Sequence, residues 1–189
     1  MADFTKRMIR AAKLDGRLYE EVEADHGATG QAAAVVIISS LAAGIGALPG
    51  GAFSDLVFSI LAALLGWVVW ALMTYWIGTR LLPEPQTRAN IGEMLRTVGF
   101  SSAPGIILII SIIPLLLTPS IPPMVRLAMF DVIHLTAWVW MLIAMVVAVR
   151  QALDYRSTGR AIAVCAIGLM IVLVLQRLAG VGPFVEKAY

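Results

Sequence analysis

Residues 56–79 read LVFSILAALLGWVVWALMTYWIGT, 24 residues with no charged side chain between Asp55 and Arg80. At about 1.5 Å per residue, a helix of this length exceeds a hydrocarbon core about 30 Å thick. The stretch therefore predicts a membrane-spanning helix, and four further apolar runs predict the same: Gln31 to Leu48, Ser101 to Leu117, Leu127 to Val149 and Ala161 to Leu178. Pro49-Gly50-Gly51 ends the first run, Pro83 and Pro85 follow the second, and Pro119, Pro122 and Pro123 separate the third from the fourth. The fold class expected is an all-α integral membrane protein, a five-span transmembrane helix bundle. Residues 1–29 form a cytoplasmic amphipathic segment, residues 30–180 the five-helix domain (spans 31–48, 56–79, 101–117, 127–149 and 161–178) and residues 181–189 a non-cytoplasmic tail.

Composition agrees. The chain has 189 residues, 60% hydrophobic and 14% charged, with mean hydropathy +0.88, whereas charged residues make up about 25% of soluble domains. The longest stretch outside the runs is the first 29 residues, below the roughly 40 that usually fold alone, so no extramembrane enzyme domain is expected. The net charge of +2 is small and its signs are interleaved, unlike the concentrated basic stripe that a phosphate backbone requires; no nucleic-acid partner is implied. Cys165 is the single cysteine, which precludes an intrachain disulfide. Residues 1–30 carry six acids and no early apolar core, so they are not read as a signal or transit peptide.

Lys and Arg orient the bundle, because cytoplasmic flanks retain positive charge. The N-terminal segment and the second-to-third and fourth-to-fifth connections hold eleven of them, from Lys6 to Arg160; the opposite side holds Arg126, Arg177 and Lys187. The expected N-terminus is cytoplasmic and the C-terminus is not, as five spans require.

Two amphipathic elements are expected on the cytoplasmic face. In the first, Phe4, Met8, Ala11, Leu14, Leu18, Tyr19 and Val22 share one helical arc and Lys6, Arg10, Lys13 and Arg17 another. Such a helix suits an anionic leaflet; the alternative is that its apolar face packs on the bundle or a partner. Asp15 falls on the apolar arc, and Glu20, Glu21, Glu23 and Asp25 must face water or a basic partner. In the second element, Ile91, Met94, Leu95 and Val98 form one face of a short surface helix before the third span. Asn90 and Glu93 suit its capping box, Gly99 its left-handed C-terminal position, and Pro104 the first turn of the span that follows.

No glycine-rich phosphate loop, metal-spaced Cys or His cluster, or Ser with a base and an orienting acid is present, so neither catalytic nor metal-binding residues nor a cofactor are expected. The intramembrane polar cluster is Arg126, Asp131 and His134. Asp131 and His134 are three residues apart on one helical face, and ionisable groups inside lipid are functional suspects. One reading is a polar clasp near the outer face; another is a proton or ion pathway in a small transporter or channel, helped by a kink at Pro114. Ser40 with Gly44 and Ala42 with Gly46 offer spacing for close helix approach. Tyr75 and Trp76 fit the cytoplasmic interface, and Trp67, Trp70, Trp138 and Trp140 are expected to pack within the bundle.

This layout, with the connection Gly78-Thr79-Arg80 through Glu93-Met94-Leu95-Arg96-Thr97-Val98-Gly99-Phe100-Ser101-Ser102-Ala103-Pro104 and its Gly-aromatic-x-x-x-Pro element, resembles the Yip domain family of five-span proteins over roughly Leu14 to Leu178. The eukaryotic members are named for interacting with Rab-type (Ypt) GTPases. The resemblance implies a cytoplasmic N-terminus, no known enzymatic activity, and a role in membrane organisation or partner-protein binding, which the two amphipathic elements lead us to expect on the cytoplasmic face. Where trafficking members carry an Asp-Leu-Tyr-Gly-Pro element this chain offers Leu18-Tyr19-Glu20, a departure that argues against a Rab-type partner. Eleven Arg against three Lys with abundant Ala suggests a bacterial-type member of an inner membrane. Expected partners are the lipid bilayer and a protein partner or a second copy of the chain, and a further reading is an accessory subunit of a larger membrane complex.

Overall fold

The computed structural model describes residues 3–47, 53–117 and 121–178, and these are helical almost throughout. In chain order the helices are α1 (Phe4–Ala12), α2 (Gly16–Ala24), α3 (Ala28–Ala47), α4 (Phe53–Trp76), α5 (Ile91–Phe100), α6 (Ile112–Leu116), α7 (Pro123–Ala152) and α8 (Thr158–Leu178). A π turn, Ile77–Leu81, continues α4, and a 3-10 run, Ala103–Ser111, joins α5 to α6. The expected Pro49-Gly50-Gly51 turn, Pro119 and the 181–189 tail lie outside the described residues.

Among the described residues, four helical stretches are long and apolar enough to cross a membrane: Ser54–Leu81, Ile91–Pro114, Pro123–Ala152 and Thr158–Leu178. The first expected run lies in α3, Ala28–Ala47, whose residues 28–44 are an apolar helical stretch. Burial ranks these elements. Of the apolar part of Ile91–Pro114, 56% is buried inside the protein, against 6% for Ser54–Leu81, so α5 and the 3-10 run form the central pillar and α4 a peripheral rib. Around the pillar pack α3, α4, α7 and α2, with α8 against α7 and α4.

This arrangement corrects the surface-helix reading of residues 90–98. The capping box of Asn90 and Glu93 is present, with Asn90 Oδ1 accepting from the Glu93 N–H at 2.9 Å and Glu93 Oε2 accepting from the Asn90 N–H at 2.7 Å. From Met94 onward, however, only Leu95 is not fully buried. Around α5 pack α3, α4, α7 and α2. Gly99 is likewise not a left-handed terminus but an interior helical residue. A Cβ there would lie 2.7 Å from the Ala32 Cβ and 3.1 Å from the Trp67 Nε1, so its role is to let α3 approach the pillar closely.

The third span is not a simple α-helix either. Pro104 sits at the start of the 3-10 run, as expected of a first-turn proline. Pro114 lies in α6, and its ring opposes the carbonyl four residues back, at Ile110, in α geometry. That carbonyl belongs to the tighter 3-10 run, so the irregularity expected at Pro114 lies upstream of it, with α geometry resuming at Ile112.

Candidate functional site

The N-terminal segment is two helices rather than one. Leu14 breaks the expected continuous arc with φ 62°, and Asp15 starts α2 as its N-cap, accepting from the Arg17 N–H at 3.0 Å. A carboxylate on the apolar face of an unbroken helix would lack a partner. At the break it gains both that N–H and Arg10, whose Nε donates to Asp15 Oδ2 at 2.8 Å.

Glu21 and Asp25 are matched within the chain. Arg7, 5% exposed, donates to Glu21 Oε1 and to Asp25 Oδ2, each at 2.8 Å, and to Gln31 Oε1 at 3.0 Å. Arg10 Nη1 donates to Glu21 Oε2 at 2.6 Å. Burial works against the Arg7 charge, but the hydrogen bonds to Asp25 and Glu21 outweigh it and hold the guanidinium above its ordinary value. Arg10 in turn holds Asp15 and Glu21 below the usual carboxylate range, and Arg7 does the same for Asp25. For Asp15, Glu21 and Asp25 the basic partner is therefore α1 itself, whereas Glu20 accepts from Gln151 Nε2 at 2.8 Å.

The hairpin docks by its helix C-termini, where backbone carbonyls lack helical partners. Trp140 Nε1 on α7 donates to the Ala12 carbonyl at 2.8 Å. Arg96 of α5, 3% exposed, donates from Nε to the Val22 carbonyl at 2.9 Å and from Nη2 to the Glu23 carbonyl. A cation at a helix C-terminus also complements the helix dipole. Ala11, Leu18, Tyr19 and Val22 are then completely enclosed with Ala28, Ala32, Val35, Phe100 and Ala148. Tyr19 Oη is buried without a hydrogen-bond partner among the described residues, and burial pushes its phenol pKa up. Beside this junction, burial raises the Glu23 carboxyl to about 7; Glu93, Asp154 and Glu20 add to the rise and Arg96 opposes it.

Of the surface residues expected from sequence, Lys6, Lys13, Arg17 and Ile91 face outward. Phe4 and Met8 are half-buried against the hairpin core, Leu95 is half-buried against the pillar, and Arg10 is committed to its ion pairs. Ile9, which the arc reading passed over, is 48% exposed between Lys6 and Lys13. Arg96 was the residue that sequence reasoning missed: it was counted only among the charges flanking the spans. A single Arg one position from the buried face of an apolar helix was the available signal.

A second junction lies at the same end of the bundle. Tyr155 Oη lies 2.9 Å from the Gly78 carbonyl and 2.7 Å from the Leu82 carbonyl, a geometry in which its proton serves one at a time. Glu84 accepts from the N–H groups of Arg156 at 3.1 Å and Ser157 at 3.4 Å, and pairs with Arg160 at 3.6 Å. Desolvation would raise the Glu84 carboxyl, but these bonds prevail and hold it low. Glu84 thereby supplies from another loop the capping that the α8 N-terminus needs.

The polar residues of α7 are not joined. Asp131 is exposed, Arg126 half-exposed, and among the described residues the two form no ion pair. His134 Nδ1 lies 3.0 Å from the Phe130 carbonyl and the imidazole stacks on the Phe130 ring at 3.9 Å. Trp138, expected inside the bundle, is 52% exposed, whereas Trp67 reaches inward to donate to the Leu95 carbonyl at 2.9 Å.

The Yip1 domain, as a protein family, matches residues 16–176 of this sequence, from the start of α2 almost to the end of α8. Neither a curated protein nor a solved structure matches it.

Proposed function

Because the chain belongs to the Yip1 domain family, we propose that it is a five-span, non-catalytic membrane protein whose docked N-terminal hairpin presents a fixed surface to a protein partner on the cytoplasmic face. The apolar helix α3 is the fifth span in this reading, and the excess of Lys and Arg on the hairpin side favours the cytoplasm for that end. An inner bacterial membrane is the setting that the Arg-rich, Ala-rich composition favours.

The observation that carries the proposal is the Arg96 contact. A tail used only as a flexible tether has no need of a buried guanidinium on its helix ends, whereas a hairpin fixed by Arg96 and Trp140 holds Lys6, Ile9, Lys13 and Arg17 in one geometry. Preorganisation of this kind lowers the entropy cost of association. Ile9 between two lysines supplies the apolar centre and basic rim of a small interface, suited to a partner with an acidic surface.

The test is the mass and composition of the particle extracted from its native membrane, for the parent and for the triple variant Lys6→Glu, Lys13→Glu, Arg17→Glu. A stoichiometric second protein in the parent that is lost in the variant supports the proposal. A lone monomer, a homo-oligomer, or a partner retained after the reversals overturns it.

A further inference from the structure

Among α3, α4, α5, the 3-10 run and α7 lies a groove of about 640 Å³, within the roughly 300–1,000 Å³ of small-molecule sites. Its floor is apolar, formed by Val36, Trp70, Leu108 and Met141 among others. Three of its serine hydroxyls are already engaged: Ser39, Ser40 and Ser59 donate to the carbonyls of Ser102 at 2.7 Å, Ile37 at 2.9 Å and Leu56 at 2.8 Å. They make no demand for a polar occupant.

The groove's dimensions match one leaflet. Along α4 it runs from Ser59 to Trp70, roughly 16 Å at 1.5 Å per residue, about half of a hydrocarbon core about 30 Å thick. Its mouth is at Gly66, which both lines the groove and is exposed. Val69, one turn along, is 49% exposed on the outer face of α4, so the groove is continuous with the surface that this peripheral helix turns to lipid.

Gly66 carries the argument. A glycine inside a helix costs about 1 kcal/mol relative to alanine, and interior helical glycines are normally explained by close packing or a positive φ. Gly66 has neither, because nothing lies within 4 Å of where its Cβ would be. Gly66 lines the groove, and a side chain added there would enter open space.

We infer that this groove holds one acyl chain of a bilayer lipid, entering from the leaflet nearest the α3–α4 connection, where Gly44 and Ser59 line it, and ending against Trp70. The inference rests on embedding in a bilayer and not on the hairpin's docking role, so either reading can fail while the other stands.

The experiment is to purify the parent, Gly66→Leu and Ala63→Phe in mild detergent and to count retained phospholipid by native mass spectrometry, with Leu61→Phe on the outer face as control. Gly66→Leu has room to fold, since it enters empty space, and Ala63→Phe fills the groove from a second position. The parent and the control are expected to keep phospholipid at unit stoichiometry, and the two groove-filling variants to lose about tenfold in affinity, near 1.4 kcal/mol. In vesicles of brominated-chain phosphatidylcholine, tryptophan fluorescence of the parent should be quenched more than that of Gly66→Leu. A lipid-free parent, equal retention in the folded filled variants, or a parent dimer that the filling variants dissociate overturns the inference.

Discussion

Arg96 Nε and the Val22 carbonyl meet at 2.9 Å across 74 positions of sequence, and this contact makes the N-terminal hairpin part of the fold. Replacing Arg96 by Ala leaves the last carbonyls of α2 without a donor in a buried site, at a cost of about 2–4 kcal/mol. Hydrogen exchange should show residues 4–24 losing protection while α7 and α8 keep theirs. Arg96→Lys should restore only part, because a point cation cannot fork to two carbonyls. Uniform loss of protection through the whole chain would show that the hairpin is not a separable unit.

The hairpin has opposed pH dependences. Glu23 titrates near 7 when docked against an ordinary value of 4.5, so its folded pKa is raised. The stability that its protonated form provides is present below about pH 4.5 and is lost as pH rises through about 7. After screening at this partly open site the loss is about 1–2 kcal/mol. Asp15, Glu21 and Asp25 are shifted the other way, so their ion pairs hold above the usual carboxylate range and fail below it. Docking should therefore be firmest near pH 5, and Glu23→Gln should remove the alkaline limb alone. Proteolysis at the Leu14 turn as a function of pH reads both limbs.

Gly99 and Gly66 should respond oppositely to added methyl groups. Gly99→Val drives a side chain into Ala32, with its Cβ 2.7 Å away, and should cost about 2–3 kcal/mol of stability to thermal unfolding in detergent. Gly66→Ala meets nothing and should gain a few tenths to about 1 kcal/mol from helix propensity.

Glu84→Ala should fray the start of α8, because the N–H groups of Arg156 and Ser157 lose their acceptor. The expected cost is about 1 kcal/mol, visible as faster amide exchange at residues 156–160. Glu84→Gln keeps an acceptor oxygen and should fall between the two.

Asp131→Asn addresses the transport alternative. With Asp131 exposed and not paired to Arg126, the expected result is that reconstituted parent and variant both show proton flux no greater than empty vesicles. Flux in the parent that disappears in the variant would reinstate a pathway through Asp131 and His134.

The long apolar elements were legible because hydropathy and length are local properties: α4, α7 and α8 lie within a few residues of the runs read from sequence. The capping box at Asn90 and Glu93 was legible for the same reason, both partners lying within one turn. What failed was long-range. Gly99 fits a left-handed terminus and a close helix crossing equally well, and only Ala32 on α3 decides between them. Arg96 resembles any flanking charge until α2 brings it two carbonyls. The break at Leu14 follows from pairing Asp15 with Arg10, which a single helical wheel cannot represent.

The hydrogen bond from Trp140 to the Ala12 carbonyl separates its partners by 128 positions. At synthesis rates of about 5–20 residues per second, α1 therefore waits roughly 6–25 s for the residue that completes it. Three of the four long helices begin to emerge before that happens, and throughout this interval Leu18, Tyr19 and Val22 have no finished wall to pack on. The hairpin made earliest is among the last parts to lock, so a chaperone or a partner protein has its opening during translation, on apolar residues that the finished protein conceals.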